Sequence, residues 1–119
     1  MGLVALLAEP QKYDGKVVRT IGFASIRFEG NALFLHEEDY RYGNLKNAVA
    51  LRVTEAQAEQ FKRMSLKYVI IEGTMHANGD ESWDYAGAIG EITRFDYWGP
   101  RSDIPAHPEE PLSGTSRQR

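Results

Sequence analysis

The sequence predicts a small, mostly antiparallel, five-stranded Greek-key β-barrel over residues 12–98, in the order β-β-β-α-β-β. Three observations carry this. Five segments are rich in β-branched and aromatic residues or alternate in polarity, and turn residues or polar connections separate them. The order of three strands, one helix and two strands suits a Greek-key barrel and lacks the strand–helix alternation of a parallel sheet. Glycines stand inside the long strands, where a barrel has to bend.

The elements follow in order. Leu3, Leu6 and Leu7 have helical spacing and Pro10 cannot continue a helix, so residues 2–8 form a short amphipathic helix on the barrel. Asp14-Gly15 makes a tight turn into the first strand, residues 16–29, which is too long to stay flat and bends at Gly22. Gly30-Asn31 turns the chain into a second strand, residues 32–36, with Leu33 and Leu35 on one face and Phe34 and His36 on the other. Residues 37–46 form a polar connection. The third strand, residues 47–53, points Val49, Leu51 and Val53 inward and Ala48, Ala50 and Arg52 outward. Thr54 and Gln57 fit a capping box that starts a helix over residues 55–64, with Ala58 and Phe61 toward the core. The fourth strand covers residues 67–76, with Val69, Ile71, Gly73 and Met75 sharing a face. The fifth covers residues 86–98 and carries Gly87 and Gly90.

Residues 1–98 therefore form one barrel domain with its helix. Residues 99–119 hold four of the five prolines and too few apolar residues to offset the entropy of ordering, which predicts a flexible tail.

Composition narrows the function classes. The chain has no cysteine, which removes thiolate metal sites, disulfides and cysteine nucleophiles. Its net charge is −3, carried by residues 1–98 with eleven Lys/Arg against fourteen Asp/Glu. A non-specific nucleic-acid binder draws its affinity from a basic surplus, so this balance disfavours that class. No stretch has the apolar length of a membrane span, and the run Leu3–Ala8 is too short for a signal-peptide core. The compartment stays open, cytoplasmic or exported after loss of a leader.

Gly15-Lys16-Val17-Val18-Arg19-Thr20-Ile21-Gly22-Phe23 resembles the opening strand of OB-fold domains, including the anticodon-binding type, and Arg27–Gly30, Leu33–Leu35 and Val69–Thr74 continue the likeness. The runs Pro10–Lys16 and Phe28–Asp39 resemble a group of small uncharacterised bacterial OB-like proteins. The resemblance covers most of residues 10–98 and rests on barrel-building residues. It implies an OB-like barrel whose first three strands present a ligand face.

Alternation places Arg19, Phe23, Phe34, His36 and Arg52 on that outer face. Tyr40 and Tyr42 stand in the adjoining connection. Aromatics interleaved with cations suit a peptide, another protein, a small polar ligand or stacked single-stranded bases. The alternative is that the N-terminal helix or residues 37–46 cover Phe23 and Phe34, as usually happens to large aromatics.

His36-Glu37-Glu38-Asp39 is the densest group of metal-ligand types, the basis for a small metal-dependent hydrolase as a third reading. It lacks a second histidine at ligand spacing, and a solvated acidic strand end is the better account of it. Asp80-Glu81 and Asp84 read as a loop. None of Ser25, Ser65, Ser82, Ser102, Ser113 and Ser116 lies in a nucleophile elbow, and no glycine loop cradles phosphate. The expectation is a non-catalytic binding module without metal or cofactor.

Overall fold

Alternating side chains pack as a barrel only if the first and fourth strands also pair, and in the computed structural model they do. Residues 2–27 and 30–100 are described. The strands are β1 (Val17–Ser25), β2 (Ala32–Phe34), β3 (Ala48–Leu51), β4 (Lys67–His76) and β5 (Ala88–Tyr97). They close in the order β1-β2-β3-β5-β4. β1 runs antiparallel to β4 from Val17↔Thr74 to Ala24↔Lys67, and its end also pairs with β2 at Phe23↔Phe34. The parallel contact of β3 with β5, at Ala50↔Ala88 and Leu51↔Ile89, completes the circle. This closed five-stranded barrel is compatible with an OB-like fold.

The inner column of each strand forms the main core, with Val18, Leu33, Val49, Leu51, Val69, Ile71, Met75, Ile89 and Phe95 all buried. Gly22 and Gly73 allow that core to be tight. A Cβ on Gly22 would lie 2.6 Å from Leu33 Cγ, and one on Gly73 would lie 2.6 Å from the Gly90 carbonyl. β4 and β5 also shift register between Glu72 and Thr74, a bulge beside Gly73 that bends the pair.

Among the described residues three α-helices decorate the barrel: α1 (Leu3–Ala8), α2 (Glu37–Arg41) and α3 (Glu55–Phe61). α1 delivers Leu3 and Leu6 to the main core. α3 starts on the expected capping box: Thr54 Oγ1 accepts from Gln57 N at 3.0 Å, and Gln57 Oε1 accepts from Thr54 N at 3.1 Å. It lays Phe61 flat on Phe95, ring centroids 4.2 Å apart.

The expected helix over 55–64 ends as a tighter turn at Lys62–Met64. The first, second, third and fifth strands are shorter than expected, whereas β4 has the expected bounds. α2 is the element that the polarity pattern hides. Only Tyr40 of its five residues reaches an apolar cluster, so it shows no helical periodicity. Residues 28 and 29 of the expected first strand, and 101–119 of the expected tail, lie outside the described residues.

Candidate binding surfaces

α2 decides what the outer face of β1–β3 can do. Phe23 and Phe34 point outward as alternation requires, yet they are only 4% and 5% exposed. With Ala32 and Ala48 they form a second, smaller core outside the barrel. Tyr40 stands 5.6 Å from both rings, Tyr68 stands 5.2 Å from Phe23, and Leu45 and Tyr85 pack at the margin. The chain's own connection therefore covers the face that the resemblance assigned to a ligand.

That cover is pinned by polar contacts. Asp39 accepts from the His36 amide at 3.1 Å and from the side-chain amides of Asn44 and Asn47 at 3.2 and 3.1 Å. Glu37 pairs with Arg41 at 3.1 Å, and its amide donates to Tyr68 Oη at 3.0 Å. Glu37, Glu38 and Asp39 fill the first turn of α2, where negative charge complements the free amides. His36 is exposed and sits 3.6 Å from Asp39. Among the described residues no group of three potential metal ligands converges.

Arg19 and Arg52 lie elsewhere on the barrel. Arg19 pairs with Glu72 across β1 and β4 at 3.4 Å. Arg52 holds Glu81 through two hydrogen bonds, 2.7 and 2.9 Å long. That hydrogen bond pulls the Glu81 carboxyl below the usual glutamate value against its partial burial, and the Arg52 guanidinium is correspondingly raised. His76 Nε2 meets Glu91 Oε1 at 2.7 Å. A Cβ on Gly90 would touch both the Arg52 stem and the His76 ring, so these two side chains lie over the same glycine. Sequence reasoning missed this Arg52–Glu81–His76–Glu91 patch, because its members sit on separate elements.

Of the seven residues singled out, Tyr42 is the exposed aromatic, at 84%. It has a counterpart that the sequence reading passed over, Trp83 at 83%. Lys46 Nζ donates to the Trp83 carbonyl at 3.3 Å, and Tyr85 packs into the same cluster as Tyr40 and Leu45. The β4–β5 connection is thus docked on the β2–β3 connection, and each carries one uncovered aromatic. A tryptophan between acids in a polar loop was the available signal.

No family model, curated protein or solved structure matches the chain. Among the described residues no helix is long and apolar enough to cross a membrane.

Proposed function

We propose that this chain is a non-catalytic, OB-like binding module that takes a protein or peptide on the rim bearing Tyr42 and Trp83, in keeping with its resemblance to small bacterial OB-like proteins. The observation that carries the reading is the exposure of these two aromatics on mutually docked connections. Tyrosine and tryptophan supply large, rigid contact area at low entropic cost and dominate binding hot spots. OB-type barrels bind on the face of their second and third strands and through the loops after the first and fourth strands, and Trp83 stands in the loop after the fourth. Two exposed aromatic side chains suit a partner with its own surface better than a small molecule, which needs a concave pocket.

Single-stranded nucleic acid is the weaker reading. The net charge of −3 opposes phosphate, and the two phenylalanines best placed for stacking are covered.

Peptide-display selection against the folded chain, counter-selected with the Tyr42→Ala/Trp83→Ala variant, tests the proposal. Selected peptides are expected to lose roughly 30-fold or more in affinity on the double variant, as for a hot-spot pair. Peptides that bind both forms equally sink the assignment. So does tight, salt-dependent binding of oligonucleotides where no peptide binds.

A further inference from the structure

The outer face of β1, β4 and β5 is a second surface, distinct from the Tyr42–Trp83 rim. Register places Ile21 beside Ile70 and Phe23 beside Tyr68. The Trp98 amide then donates to the Tyr68 carbonyl at 2.8 Å, setting Trp98 next to Tyr68. Leu66 and Trp98 are about half exposed there, at 51% and 52%. Together Ile21, Leu66, Tyr68, Tyr97 and Trp98 line an open cleft of about 510 Å³.

Leu66 puts an apolar side chain on this cleft from a strained backbone position. Its φ is +64°, and its amide is fixed to the Ala24 carbonyl at 2.7 Å. A bulky side chain in the left-handed region costs about 1–2 kcal/mol, a strain that glycine would not feel. What the leucine adds is an apolar side chain standing on the cleft.

The occupant is argued from where the described chain stops. Gly99 and Pro100 line the cleft themselves, and the chain has nineteen residues beyond them. They include Pro105, Pro108 and Pro111, spaced by three. A polyproline II helix has three residues per turn, so a segment in that conformation would carry prolines spaced by three on one face. Such helices dock in aromatic-lined grooves with little entropy left to lose. At about 3.1 Å per residue, residues 100–111 reach roughly 34 Å, enough to leave the cleft, reverse and lie back across it.

We propose that the cleft formed by Ile21, Leu66, Tyr68 and Trp98 is a docking site for an extended proline-rich segment, and that its occupant is Pro105-x-x-Pro108-x-x-Pro111 of the same chain. A short tether supplies an effective concentration in the millimolar range, so even an affinity of about 1 mM covers Trp98 about half of the time.

The full-length chain with Trp83→Phe leaves Trp98 as its single indole and reports directly. Replacing Pro105, Pro108 and Pro111 by alanine in that background is expected to shift Trp98 emission to the red and raise its quenching by iodide roughly twofold, the loss of half-time coverage. Leu66→Gly should raise quenching in the same way without lowering the melting temperature, because it removes backbone strain. Equal quenching with and without the prolines overturns the proposal. Protection that vanishes on dilution overturns the intramolecular assignment, since the segment would then come from a second copy. The readout is the coverage of Trp98, which peptide binding at Tyr42 and Trp83 does not report, so this inference and the proposed function fail independently.

Discussion

Thr20 and Glu81 show how single residues set stability here. Thr20 is 1% exposed, opposite Ile71 in the barrel wall. Among the described residues its Oγ1 is the one buried side-chain polar atom without a hydrogen-bond partner. A buried donor without a partner costs its desolvation, whereas a methyl of the same shape costs nothing. Thr20→Val is therefore expected to raise stability by about 1 kcal/mol, read as a higher urea midpoint with unchanged slope.

Glu81 gives a pH effect of definite sign. Its folded carboxyl is depressed by the Arg52 hydrogen bond, so the folded state binds that proton less readily than the unfolded one. The stabilisation is complete above the unfolded value of about 4.3 and is lost as pH falls through the lower folded value. Both side chains keep contact with water, which makes the effect small and salt-sensitive. Glu81→Gln should lower stability at neutral pH and flatten the acid limb of a stability–pH curve. An unchanged acid limb would show that Arg52 gains no measurable energy from the pair.

At the scale of elements, α2 is the least self-sufficient piece and the one with most consequence. Five residues are too few for a stable isolated helix, so tertiary contacts must hold it. Those contacts are Tyr40 on the two phenylalanines and Asp39 on three donors. Asp39→Ala is expected to cost about 1–2 kcal/mol, as for the loss of a cap with further hydrogen bonds. It should also speed amide exchange over residues 36–47 and admit an apolar dye to the Phe23–Phe34 cluster. Slow exchange in that variant would mean that the aromatic contacts alone hold the cover. The Thr54–Gln57 box of α3 was legible beforehand because capping is a local pattern. α2 was not, because its one anchoring residue only becomes apolar surface when the barrel is assembled beneath it.

At the scale of the molecule, closure and cover separate into two problems. Closure uses the inner columns, and Val18, Leu33, Val49, Ile71 and Phe95 meet there through alternation alone. Among the described residues, cover leaves the Tyr42–Trp83 rim and the β1–β4–β5 face as the aromatic surfaces most open to solvent. Because Tyr42 and Trp83 bury little of themselves, the Tyr42→Ala/Trp83→Ala protein should unfold cooperatively at the wild-type temperature. A large drop in melting temperature would reassign the pair to holding the two connections together.

The sequence by itself determined the barrel, its helix after the third strand, and which side chains of β1 to β4 face in or out. Each of these follows from near-neighbour patterns: period-two alternation, turn dipeptides and a capping box. Alternation carries on past Gly22 because β1 pairs with β4 without a bulge from Val17 to Ala24, so Phe23 stands outward. Only the tertiary structure decided what outwardness meant. Phe23 and Phe34 are sealed by a connection whose own sequence looks polar. Arg52 is spent on Glu81, twenty-nine residues away. Trp83 is bare while its loop is tied to the β2–β3 connection by its backbone carbonyl and by Tyr85. Burial and pairing across such separations depend on which surfaces meet, and a local pattern holds no record of that.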